Sequence, residues 1–125
     1  MTVSAFCSVS LEPAQILICV EKTASVYAAI VEARGFVINI LTASQEQIAR
    51  RFSTVDIDRF EGVGFTRSAE GYPILDDVLS VIECRRAGLH DGGDHTIIVG
   101  EVEASRVADG VPLLYYRGGY AQLER

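Results

Sequence analysis

The chain has 125 residues, of which 49% are hydrophobic and 22% charged, with a formal net charge of −6. That length and balance suit one folded domain over residues 1–125 with one core, and they exclude an extensively disordered chain. Arg51, Arg59, Arg67 and Arg106 are scattered and form no basic stripe able to follow a phosphate backbone, so nucleic acid is not an expected partner.

Alternation opens the chain. Val3, Ala5, Cys7 and Val9 point one way and Thr2, Ser4, Phe6, Ser8 and Ser10 the other, which predicts a strand with one hydroxyl-bearing face. Pro13 interrupts it, because proline lacks a ladder donor. A second strand is expected from Gln15 to Val20. The Val26/Ile30 and Tyr27/Val31 spacings predict a helix over Val26–Ala33, with Thr23 or Ser25 as N-cap and Gly35 as C-cap.

Phe36–Leu41 reads as a buried strand, and Ser44-Gln45-Glu46-Gln47 matches a capping box opening a short helix that ends near Arg51-Phe52. Between Ser53 and Tyr72 the periodicity is weak, which predicts a short helix around Asp56–Phe60 and then loop. Order resumes at Pro73-Ile74-Leu75. Val78–Ala87 and Thr96–Val107 are longer β-type segments, and the cluster His90-Asp91-Gly92-Gly93-Asp94 between them predicts an antiparallel hairpin. A last strand is expected over Pro112–Tyr116, before Arg117-Gly118-Gly119-Tyr120. Several strands joined as hairpins with two helices predict a mainly β protein, an antiparallel β-barrel with flanking helices.

Cys7, Cys19 and Cys84 are odd in number and have neither C-x-x-C nor Cys/His metal spacing, so they read as buried, reduced thiols of a cytoplasmic protein, and no metal site is expected. Met1 is followed at once by a polar alternating segment instead of a signal peptide pattern, and the longest apolar stretch, Ile16–Val20, is too short to span a membrane. There is no nucleophile elbow, phosphate loop, zinc-protease helix or dinucleotide-binding glycine motif. Chemistry is therefore expected to be carried by a cofactor, with no catalytic acid, base or nucleophile on the chain.

Four places could hold such a ligand. The Thr2/Ser4/Ser8/Ser10 face lets a flat molecule approach the backbone, or is a solvated strand face. Lys22, Thr23 and Ser25 at a helix start could hold a phosphate, or simply cap the helix. Arg51 and Phe52 could clamp from the next helix, or be surface and core. His95, following Asp94, is not demanded by turn geometry and is either a ligand contact or an exposed histidine.

The residues Met1-Thr-Val-Ser-Ala-Phe-Cys-Ser-Val-Ser-Leu-Glu-Pro13, Phe36-Val-Ile-Asn-Ile-Leu-Thr42, Gly93-Asp-His95 with Gly100-Glu-Val102, and Tyr116-Arg-Gly-Gly-Tyr120 resemble the flavin reductase-like family on the FMN-binding split barrel. The family comprises short-chain NAD(P)H:flavin reductases that feed two-component monooxygenases. The resemblance covers nearly the whole chain and implies an antiparallel split β-barrel. The usual N-terminal helix and first strand, some thirty-odd residues, are expected to be lacking ahead of Met1.

It also implies that Thr2, Val3, Ser4, Ala5, Phe6, Ser8 and Val9 line the isoalloxazine and ribityl chain of FMN or FAD, and that Lys22, Thr23, Ser25, Arg51 and Phe52 approach the phosphate or its extension. Asp94, His95, Tyr116, Arg117 and Gly118 are implied to lie on the NADH or NADPH side. The activity implied is hydride transfer from nicotinamide C4 to flavin N5, by a homodimer that supplies reduced flavin to a partner monooxygenase. The alternatives are a non-catalytic flavin-binding module, an inactive truncated reductase, or a remnant folded only beside a partner chain.

Overall fold

In the computed structural model, which describes residues 1–124, strand β1 (Phe6–Leu11) turns at Glu12-Pro13 into β2 (Ala14–Glu21). The first strand starts later than the alternation suggests. Residues 2–5 precede it outside any ladder, although the Cys19 amide still donates to the Ala5 carbonyl at 3.1 Å.

The β1–β2 register runs Phe6↔Ile18, Cys7↔Leu17 and Ser8↔Ile16, then jumps to Ser10↔Gln15 and Leu11↔Ala14. Val9 is thus the extra residue of a β-bulge. Residues opposite one another across an antiparallel ladder share a sheet face. Phe6 and Ser8 therefore stand on the face of Ile16 and Ile18, while Ser10 passes to the other face with Gln15. The single hydroxyl face expected from Thr2 to Ser10 does not exist, because the inserted residue shifts the period-two count by one.

Three further strands complete the sheet: β3 (Gly35–Ile40), β6 (Ser80–Gly92) and β7 (His95–Val107), in the order β1-β2-β7-β6-β3. β2 pairs with β7 from Gln15↔Glu101 to Glu21↔His95. Ile16, Ile18 and Val20 alternate onto one face there and are buried with Ile98, which lies opposite Ile18. β6 extends five residues beyond the expected end at Ala87, so His90, Asp91 and Gly92 belong to the strand and the connection to β7 is only Gly93-Asp94. Gly93 has φ +76°, the positive value required at the first position of a tight hairpin turn.

Helix α1 (Tyr27–Glu32) is shorter than predicted, and its N-cap is Val26, with no side-chain capping bond, instead of Thr23 or Ser25. Its C-cap is Ala33 in extended geometry. Gly35 is not a C-cap but the first residue of β3, where a Cβ would collide with the Cys84 carbonyl oxygen. Close backbone approach, not a left-handed helix end, is what requires glycine there. The helix is tied down by the Tyr27 hydroxyl, 2.7 Å from Thr96 Oγ1, and by the Arg86 guanidinium, which donates to the Val31 carbonyl.

The chain forms two units, one from Val3–Phe36 and Ile82–Ala104, the other from Val37–Val81 and the residues from Ser105 on. In the second, a 3-10 turn (Ala43–Gln45) leads into α2 (Glu46–Phe52). The reciprocal cap lies two residues ahead of the expected one, because Thr42-Ala-Ser-Gln45 carries the same spacing: Gln45 Oε1 accepts the Thr42 amide at 2.9 Å. The expected helix at Asp56–Phe60 is absent, since residues 53–64 form turns and bends, with Asp56 at φ +62°.

The segment expected to be loop also contains β4 (Phe65–Arg67), paired in antiparallel with β5 (Pro73–Leu75). After β8 (Leu113–Tyr116) comes an unpredicted strand, β9 (Gly119–Gln122). Arg117 at φ +51° and Gly118 at φ +80° make the two-residue turn between them, the paired positive φ values of a type I′ hairpin. Phe52, Leu75, Val78 and Val81 form the core of this unit, with Val37, Leu41, Ile48, Val63, Phe65 and Ile74 packed against them. The expectation of a mainly β, antiparallel protein with flanking helices holds.

Candidate functional site

Within the first unit, the end of β2 and the β6–β7 turn bring four charged or titratable side chains to one corner. Lys22 follows the last residue of β2, and its backbone amide donates to the Asp94 carbonyl at 2.9 Å. Its ammonium forms an ion pair with the Asp91 carboxylate near the end of β6. His95 opens β7 opposite Glu21, and its Nδ1 lies 2.6 Å from Asp94 Oδ1.

The electrostatics follow from these contacts. The hydrogen bond from Lys22, reinforced by its charge, holds the Asp91 carboxyl below the usual carboxylate range and raises the Lys22 ammonium above its ordinary value. The hydrogen bond with His95 likewise depresses Asp94. Lys22, expected on the flavin side, and Asp94 and His95, expected on the nicotinamide side, are therefore neighbours. Thr23 and Ser25 lie in the turn between β2 and α1, where the Ala24 amide donates to the Glu21 carbonyl at 3.0 Å.

Thr2 to Val9 present a mixed surface. Phe6 and Ser8 sit on the core face of the sheet but at its edge, where both remain exposed, as do Val3 and Val9. An exposed aromatic ring, a hydroxyl and a stretch of backbone outside any ladder suit a planar ring system carrying a polyhydroxylated chain, so the donor set fits a flavin. Thr2 itself donates through its hydroxyl to the Ala49 carbonyl at 2.7 Å.

In the second unit, Arg51 and Phe52 have structural partners. The Arg51 guanidinium donates to the carbonyls of Asp58 and Arg59 at 2.6 and 2.8 Å, holding the loop after α2. Phe52 is buried and meets Phe60 edge-on at a centroid distance of 5.0 Å. Tyr116, Arg117 and Gly118 occupy the tip of the β8–β9 hairpin, with Tyr116 largely exposed. Sequence reasoning did not single out Asp91, whose partner Lys22 is 69 residues away. Nor did it single out Tyr120, which carries Arg50 over its ring at 4.9 Å and packs against Tyr115. Among the described residues no cluster of His, Cys, Asp and Glu could hold a metal ion, and no helix is long and apolar enough to cross a membrane.

The first unit thus presents an exposed aromatic ring, a hydroxyl, free backbone and a Lys/Asp/His corner, groups suited to binding and orienting a ring system. The chain belongs to the flavin reductase like domain family, which it matches over residues 1–124. It is 41% identical over 125 residues to the FMN reductase (NADH) SmoA of Agrobacterium fabrum, covering all of this chain and 71% of that protein. It is 40% identical over 120 residues to the flavin-dependent monooxygenase reductase subunit HsaB of Rhodococcus jostii, covering 95% of this chain but 62% of that one. The chain thus spans less than two thirds of the length of this relative.

Among solved structures it superimposes, with a TM-score of 0.95 and 33% identity, on the NADH:FAD oxidoreductase SgcE6 of Streptomyces globisporus in complex with NAD and FAD fragments, covering 99% of this chain and 76% of that one. The fold is accordingly the split barrel of the flavin reductases, as the sequence resemblance implied.

Proposed function

We propose that the chain is the flavin-binding body of an NAD(P)H-dependent flavin reductase. It would take FMN or FAD as a dissociable ligand and NADH or NADPH as reductant. The observation that carries this reading is the corner at which Lys22, Asp94 and His95 meet beside the end of β2. The similarity to proteins named as an NADH-dependent FMN reductase and an NADH:FAD oxidoreductase supports it. When bound, the ligands supply the redox chemistry, a hydride passing from nicotinamide C4 to flavin N5.

The chain's own residues bind and orient. Thr2, Val3, Ser4, Ala5, Phe6, Ser8 and Val9 line the ring and its ribityl chain, while Lys22, Thr23 and Ser25 face the phosphate. In the second unit, Arg51 and Phe52 are assigned to the flavin phosphate or its extension. Asp94, His95, Tyr116, Arg117 and Gly118 serve the nicotinamide nucleotide. Bringing a hydride donor and acceptor together is a positioning task, which these residues would perform by binding and orienting the two ligands.

The physiological setting proposed is a cytoplasmic homodimer, folded as one domain, delivering reduced flavin to a flavin-dependent monooxygenase. The similarity to a reductase subunit of such a monooxygenase supports the partner. Mixing the protein anaerobically with FMN and NADH tests the activity: catalytic bleaching of the flavin absorbance is expected. Flavin binding without bleaching would leave a binding module in its place.

A further inference from the structure

The Lys22 ammonium is the cation that the proposed function assigns to the flavin phosphate, yet it forms an ion pair with Asp91. The two residues come from different parts of the chain, one at the end of β2 and the other two residues before the β6–β7 turn. The backbone holds them in register. The Lys22 amide is bonded to the Asp94 carbonyl, and Glu21 faces His95 across the ladder.

Both side chains keep access to water, with 39% of Lys22 and 78% of Asp91 exposed. A pair of that kind is weak, worth little more than the loss of side-chain freedom it demands, and a doubly charged phosphate is a stronger acceptor for an ammonium than one carboxylate. No backbone rearrangement is needed for the exchange, because the amide-to-carbonyl bond holds the turn whichever anion the ammonium faces.

We infer that Lys22 is shared, exchanging Asp91 for the anionic end of the flavin, so that Asp91 sets how strongly the chain discriminates phosphorylated from unphosphorylated flavin. This rests on the proposed function and deepens it. Asp91 acts in two ways with the same sign: it must be displaced from the ammonium, and its charge then stays beside the incoming phosphate. Only the first way requires Lys22.

The experiment measures dissociation constants for FMN and riboflavin by flavin fluorescence quenching, without NADH, for the unaltered chain, Asp91→Asn, Lys22→Met and the double variant. Thermal melts confirm that each is folded. Asp91→Asn is expected to raise the preference for FMN over riboflavin roughly two- to five-fold, the range of one exposed ion pair. Lys22→Met should abolish most of the preference, and Asp91→Asn should add little in that background. An equal change for both flavins in Asp91→Asn overturns the inference, as does a full effect persisting without Lys22. Failure of the unaltered chain to bind either flavin overturns the proposed function and this inference with it.

Discussion

His95 Nδ1 and Asp94 Oδ1 lie 2.6 Å apart, so adjacent residues at a hairpin turn fix the orientation of an imidazole at the very start of β7. Holding one ring nitrogen directs the other away from the carboxylate. His95→Ala is therefore expected to raise the KM for NADH several-fold, about the loss of one hydrogen bond, while flavin affinity stays within twofold. Asp94→Asn should produce a smaller rise in the same direction. Steady-state kinetics combined with flavin titrations check both, and unchanged KM values in His95→Ala would remove the histidine from the nicotinamide side.

Cys84 is buried, and burial pushes its thiol from 9.0 up to about 11. The folded chain therefore keeps this proton more tightly than the unfolded chain. The stabilisation is complete below pH 9 and is lost as pH rises toward 11. The displacement corresponds to roughly 2–3 kcal/mol. Urea unfolding between pH 8 and 11 should show this decline, and Cys84→Ala should flatten it in that window while lowering stability at pH 8.

Gly100 faces Ile16 on β2, and a methyl group on it would lie 2.6 Å from Phe36 Cζ and 2.8 Å from Cys84 Cβ. Gly100→Ala is expected to cost about 1–3 kcal/mol through overpacking. Pairing it with Phe36→Leu should recover part of that loss. Thermal melts of the two single variants and the pair measure the coupling.

Asn39 clamps β5 from β3: its Oδ1 accepts the Leu75 amide at 2.9 Å and its Nδ2 donates to the Pro73 carbonyl at 3.3 Å. Asn39→Leu leaves the amide of a buried residue without its acceptor, for an expected loss of about 1–3 kcal/mol. Hydrogen exchange at Leu75 should accelerate in this variant even where global unfolding does not intervene.

Much of this architecture was legible in the order of residues because it is local. The alternation of Ile16, Ile18 and Val20 marks β2, and the glycine-rich turn marks the long hairpin. What escaped depends on partners distant in sequence. Nothing near Val9 signals that β1 gains a residue against β2, and nothing near Gly35 signals that the Cys84 carbonyl will press on it. The helix expected at Asp56–Phe60 does not form because Asp56 takes a left-handed φ of +62°, and Arg51 instead holds the Asp58 and Arg59 carbonyls of a turn. β9 was readable in principle from the two-residue Arg117-Gly118 turn. The Lys22–Asp91 pair was not, because either residue alone is an ordinary surface charge.

The bulge at Val9 also bears on solubility. β1 is a border strand of its sheet, and a border strand offers its outward amides and carbonyls to any extended peptide that meets it. The break after Ser8 divides that rail, leaving only Phe6–Ser8 as an uninterrupted run before the register shifts. A visiting strand would lose alignment within three residues. Deleting Val9 would restore a continuous rail and make this border a seed for aggregation.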